Sequence, residues 1–136
     1  MLNVKKALTK ILNAIKYDYI VDQGTSGIWT YRKYASGIAE CWGAKPISAS
    51  AWSTWGTNPV FNYIAASEEA YPTGLFISVK SVTGQLSTNA GDSISSITAR
   101  PANMATTAPK ITAIRPAAGS TPADGWAFWH TIGLWK

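Results

Sequence analysis

The chain is poor in the residues that usually carry chemistry. One cysteine, Cys41, and one histidine, His130, stand in 136 residues. A lone cysteine excludes an internal disulfide framework, and no second ligand-like residue lies near it at metal-binding spacing. Cys41 therefore reads as a small buried hydrophobe in a strand. Charge is scarce as well: acidic and basic side chains make up 14% of the chain, against about 25% in an ordinary soluble domain. No apolar stretch approaches the ~20 residues that span a bilayer, so membrane insertion is not expected. Lysines and an asparagine interrupt Leu8 to Ile15, which leaves the amino terminus without the unbroken apolar core of a signal peptide.

Catalytic constellations are missing too. A Ser-His-Asp site would have to recruit His130, and no Gly-x-Ser-x-Gly elbow exists to hold the nucleophile. His130 follows Phe128 and Trp129, so it reads as a packed strand residue with a hydrogen bond. Paired carboxylates for sugar hydrolysis must face one another across a cleft, whereas Glu68 and Glu69 point apart if extended. Glu40, Asp92 and Asp124 would have to be brought together by the fold. Phosphate loops, zinc spacings and calcium loops are absent. The expectation is a protein that is not an enzyme, with no catalytic residue, metal or cofactor.

The net charge of +5 raises nucleic acid as a partner, but the distribution argues against it. Four of the 12 cations, Lys5, Lys6, Lys10 and Lys16, precede the first acid, and the remaining eight face seven acids. Counter-ion release needs cations gathered on one face. Here they are scattered.

What the sequence does have is a short helical repeat followed by β patterning. Met1, Val4, Leu8, Ile11 and Ile15 recur at alternating spacings of three and four, the seam of a coiled coil. Leu8 and Ile15 fall at a and Val4 and Ile11 at d, which departs from the Ile-at-a, Leu-at-d pattern of two-stranded coils and favours three strands or more. Two heptads are marginal alone, because isolated helices below ~12–15 residues are unstable. The stem must be held by the body or by another protein, and packing of the helix on its own domain is the competing reading.

From Tyr17 the pattern changes to period two. Trp29, Tyr31 and Lys33 share one side of a strand and Ile28, Thr30 and Arg32 the other. Gly37 supplies a turn into a second arm, Ile38 to Trp42. Tyr17 to Val21, Val60 to Ala65, Gly74 to Val82, Gln85 to Thr88, Ser93 to Thr98, Lys110 to Arg115 and Gly125 to Ile132 follow as strands. Turns are predicted at Thr83-Gly84, at residues 89–92 and at residues 119–125. The proline-bearing segments 100–109 and 115–122 read as extended loops. The fold class expected is mainly β, an antiparallel sandwich or jelly-roll-like head over residues 17–136, carried on an amino-terminal helical stem over residues 1–16.

Tryptophan is in surplus, with seven in the chain. Trp42, Trp126 and Trp135, beside glycines in predicted strands, are expected in the core or between subunits. Trp52 and Trp55 lie in a stretch with little else to build a core, so an exposed pair is expected there. With Asn58 they would form a platform for the apolar face of a sugar, or else pack against a neighbouring subunit.

The segment Gly24-Thr-Ser-Gly-Ile-Trp-Thr-Tyr-Arg-Lys-Tyr-Ala-Ser-Gly-Ile-Ala-Glu-Cys-Trp-Gly43 resembles segments of tail-fibre and minor structural proteins in phages and prophages of gut Firmicutes. The ending Gly125-Trp-Ala-Phe-Trp-His-Thr-Ile-Gly-Leu-Trp-Lys136 is similar, more loosely, to the aromatic strand that closes such modules. The resemblance covers about a third of the chain and little between Trp52 and Ala123. It implies a virion component, assembled in a host cytoplasm and released by lysis. The expected function is a homotrimeric fibre or receptor-binding part. It would use Val4, Leu8, Ile11 and Ile15 for oligomerisation and for contact with other virion proteins, and Trp52, Trp55 and Asn58 for host surface carbohydrate. A purely structural decoration or baseplate protein and a soluble lectin are the alternatives.

Overall fold

The computed structural model describes residues 3–16, 18–55, 61–66, 68–88, 94–98, 104–115 and 124–136. The predicted turn at 89–92, the prolines at 101, 116 and 122, Asp92 and Asn58 lie outside the described residues. Among the described residues, one α-helix, α1 (Val4–Lys16), precedes eleven strands. Asn3 caps it, with its side-chain Oδ1 accepting from the Lys6 N–H at 3.1 Å. At thirteen residues it is about 20 Å long. No helix among the described residues is long and apolar enough to cross a membrane.

Strands β1 (Ile20–Ser26), β2 (Trp29–Tyr34), β3 (Ile38–Ile47), β7 (Ser78–Thr88) and β11 (Gly125–Leu134) form a five-stranded antiparallel sheet in the order β1-β2-β3-β11-β7. A second sheet runs β4 (Ser53–Trp55), β5 (Phe61–Ala66), β10 (Lys110–Arg115), β8 (Ile94–Thr98). A two-stranded ribbon pairs β6 (Glu69–Ala70) with β9 (Thr107–Ala108). The chain is mainly β and sandwich-like, as its period-two runs predict.

Several boundaries differ from expectation for identifiable reasons. The first strand starts at Ile20 and runs through Ser26, so Gly24 lies inside a strand, where the Tyr31 ring packs across it. The turn into β2 is Gly27-Ile28, with Gly27 at φ +59°. Thr83-Gly84 is no turn. It sits in the middle of β7, paired with His130 and Trp129. Pro46 is accommodated in β3 because β2 pairs that strand only as far as Gly43, leaving one side open beyond it.

The inner face of the large sheet explains these glycines. One row across it reads Trp29, Gly43, Trp129, Gly84, so each indole has a glycine beside it. A Cβ on Gly43 would come within 2.8 Å of the Trp29 ring. Trp29 and Trp129 fill that space with centroids 6.0 Å apart, and Tyr71 and Phe76 extend the cluster at 5.2 and 5.1 Å. Burying an indole of 150–250 Å² contributes roughly 4–6 kcal/mol of gross transfer free energy. Each also bonds across the core: Trp29 Nε1 donates to the Ala70 carbonyl at 2.7 Å and Trp129 Nε1 to the Pro109 carbonyl at 2.8 Å. The two short strands are thereby fastened to the sheet. Ile111 and Ala113 of β10 close the core from the other sheet.

Cys41 is fully buried, and burial pushes its thiol up to about 12. Its neighbour in the next strand, Thr131, exchanges a 2.9 Å hydrogen bond with the Tyr71 hydroxyl, itself pushed up to about 12 by burial. Trp126, expected in the core or between subunits, is not in the core, for its side of β11 faces outward. The core indoles are Trp29 and Trp129, with Trp52 and Trp135 packed at the margin.

Candidate functional site

Two of the apolar surfaces left exposed among the described residues are extended. The first is the seam of α1. Val4, Leu8 and Ile11 are 61%, 52% and 56% exposed, so the helix does not bury them on its own domain. The backbone of Ile15 continues the helix, and its side chain lies outside the description.

The second surface is the outer face of the five-stranded sheet. Along β11 the odd positions point inward and the even ones outward, with Gly125, Ala127, Trp129, Thr131 and Gly133 all buried. The outward row is the bulkier: Trp126, Phe128 and Ile132 are 49%, 44% and 37% exposed, with His130 among them. Trp126 and Phe128 stack with centroids 6.5 Å apart and planes at 26°. Register sets Trp42 beside His130, Ala44 beside Phe128 and Ile38 beside Leu134. A shallow groove follows this line, walled by Trp42, Phe128 and His130, with Thr30, Thr83 and Gln85 on its flanks.

The charged groups on this face are satisfied by one another. Tyr34 donates its hydroxyl to Glu40 Oε1 at 2.6 Å, and His130 Nε2 lies 3.2 Å from Glu40 Oε2. The Tyr34 bond, helped by His130 and opposed by burial, holds the Glu40 carboxyl below its usual range. The same bond, with burial, raises Tyr34. Arg32 lies over the Trp42 ring at 5.1 Å, a cation–π contact. His130 is thus hydrogen-bonded as predicted but stands on an exposed face. Among the described residues no cluster of three metal-ligating side chains occurs.

Of the platform predicted from Trp52, Trp55 and Asn58, only Trp52 has a side chain within the described residues. Trp52 is half-buried against the core, not exposed as expected, because the short 3₁₀ turn at Ala49–Ala51 leads it inward. Trp55 ends β4, an edge strand of the second sheet, and its side chain lies outside the description, as does Asn58. The outward row of β11 was missed. Its signal is the alternation itself, since Gly125, Ala127 and Gly133 interleave with Trp126, Phe128 and Ile132.

No known family matches the chain and no curated protein matches it by sequence. Solved structures do match it in fold. An N-truncated R1-type pyocin tail fibre aligns with a TM-score of 0.56 at 11% identity, over 98% of both chains. A P. aeruginosa R1 pyocin fibre comprising C-terminal residues 323–701 aligns at 0.53 and 10% identity, over 84% of this chain and 28% of that one. At such identities the likeness is one of fold, and the fold that this chain shares is that of pyocin tail-fibre chains.

Proposed function

We propose that the protein is a non-enzymatic fibre component of a phage or phage-derived particle, a homotrimer joined at its helical stem and presenting its β body to bacterial surface glycans. The observation that carries this reading is the likeness in fold to pyocin tail-fibre chains along 98% of the sequence. The exposed seam of α1 supports the stem, because Val4, Leu8 and Ile11 are left uncovered by the described residues and another chain would cover them. Val4, Leu8, Ile11 and Ile15 are its contact residues, toward sister subunits and toward other virion proteins. Trimerisation suits a receptor-binding role, since weak sugar sites gain avidity when several engage together. Trp52, Trp55 and Asn58 remain the residues to test for the sugar.

Two measurements test the reading. Native mass spectrometry of the full chain at low micromolar concentration is expected to give a trimer, and a monomer at all concentrations removes the stem argument. Labelled protein is expected to bind cells of a bacterial strain panel and to lose that binding after periodate oxidation of surface sugars. A purely structural role is the second reading, favoured by the inward packing of Trp52. Binding to no strain, with the trimer intact, would select it.

A further inference from the structure

We infer that a cleft at the edge of the large sheet, beside the turn at residues 72–75, is a binding site for a carboxylated sugar, a uronate or its like. The source of such a sugar rests on the glycan reading above, whereas the site stands on its own residues.

The cleft forms where two elements meet. On β2, Trp29, Tyr31 and Lys33 share the inner face, and the register sets Ser26, Gly24 and Asp22 of β1 beside them. Gly24 lets the Tyr31 hydroxyl lie across β1, since a Cβ there would stand 3.0 Å from it. The facing wall is a tight turn: the Leu75 N–H donates to the Pro72 carbonyl at 3.1 Å, and Gly74 takes φ +70°. Tyr71 and Leu75, both buried, pin the turn on either side. Ser26, Tyr31, Lys33, Pro72, Thr73 and Leu75 line a volume of about 240 Å³. Pockets for drug-sized ligands hold about 300–1,000 Å³, so this one suits a single sugar unit.

Its polar groups are unclaimed. The hydroxyls of Ser26, Tyr31 and Thr73 make no hydrogen bond to another group among the described residues. On the outer face, by contrast, Tyr34, Glu40 and His130 satisfy one another. Lys33 is held in place with its donors still open. Its Nζ lies 5.5 Å from the centre of the Trp135 ring and 3.9 Å from the Asp22 carboxylate, beyond hydrogen-bond length. A ligand carboxylate would replace that long contact with a direct one.

The donor and acceptor pattern selects the ligand. Each hydroxyl both donates and accepts, whereas the ammonium only donates. The complement therefore carries hydroxyls together with one anionic oxygen. An inorganic anion brings the charge but few donors, and a neutral sugar brings the donors without the charge. Pro72 and Leu75 add an apolar patch for the C–H face of a pyranose ring. Because the turn is pinned, little ordering is left to be done on binding.

The test is a nuclear magnetic resonance titration of the full chain with glucuronate and galacturonate, with glucose and galactose as neutral counterparts, and with inorganic phosphate. The uronates are expected to shift Ser26, Tyr31, Lys33 and Thr73 saturably and to bind about tenfold more tightly than the neutral sugars, the scale of one hydrogen bond to a charged group. Lys33→Gln should abolish that preference. Tyr31→Phe should weaken every sugar about three- to tenfold, and Asp22→Asn should strengthen the uronates. Unchanged signals elsewhere check that each variant folds, and the shifts of the natural chain locate the site without any variant. Phosphate binding as tightly as the uronates would reduce the cleft to an anion site and overturn the assignment. Titrations that leave the cleft unmoved would overturn it as well. The two readings fail separately: cell binding with no shift in the cleft sinks this inference and leaves the glycan reading, whereas shifts in the cleft with no cell binding keep the site and sink the receptor role.

Discussion

The two faces of β11 are both largely apolar yet come to opposite ends. Inward stand glycine, alanine, a threonine and a single indole, all buried; outward stand an indole, a phenyl ring, an imidazole and two aliphatic side chains, mostly exposed. The inner face owes its tightness to the small residues, because they give Trp129 room to lie between Gly43 and Gly84. The outer face has the greater apolar bulk, and the described residues leave much of it exposed. Hydrophobic content alone therefore says little about which side of a strand is the core, and the distribution of space says more.

The contrast is most sharply tested by tryptophan. Trp129→Ala is expected to cost about 3–5 kcal/mol in denaturant unfolding, through a cavity and a lost bond to Pro109. Trp126→Ala should shift the dilute protein by about 0.5 kcal/mol or less. Equal costs at low concentration would erase the distinction between the faces. Gly133→Ala comes next. Its Cβ would meet the Ser78 carbonyl oxygen and approach the Phe76 ring to 2.7 Å, an overpacking expected to cost about 1–3 kcal/mol. The outward neighbour Ile132→Ala should leave the dilute midpoint nearly unmoved.

Thr131→Val leaves the buried Tyr71 hydroxyl without its partner, at about 1–3 kcal/mol. Adding Tyr71→Phe should recover part of that loss, and strict additivity in the double-mutant cycle would deny the coupling. The smallest effect belongs to the outer face and appears with pH. Glu40 has a folded value below its ordinary 4.5, so its contribution is present above that pH and is lost as pH falls through the lower folded value. Tyr34 has a folded value above 10, so its contribution is present below pH 10 and is lost as pH rises through the raised one. Glu40→Gln should flatten the acid limb of a stability profile. An unchanged limb would mean that the Tyr34 and His130 contacts contribute nothing.

Much of the fold was legible in the sequence. Helix spacing located α1, and Lys110–Arg115 was read with its bounds intact. Trp29 and Tyr31 share one face of β2 as their alternation predicts, and that face meets the core. The two-residue strands β6 and β9 were not legible, since they are held by indole bonds from Trp29 and Trp129 across the core and not by any pattern of their own. Gly84 misled for a related reason. Glycine signals a turn when its conformation matters, and here its missing side chain is what matters. Trp126 was expected in the core or between subunits, and the outward side of β11 that it occupies rules out the core alone. Trp52 was misplaced because the few residues around it give no hint of how the following chain packs.

The central place of β11 also bears on how the chain reaches this fold. β3 and β7 share no ladder until β11 lies between them, although it is the last of the three to be synthesised. Until Gly125–Leu134 arrives, both neighbours keep open edges able to pair with other chains. Ile38 must wait for Leu134, a closure across most of the sequence that makes folding slow. Chains cut short before Gly125 should therefore collect as aggregates, which makes the arrival of β11 the checkpoint for folding of the large sheet.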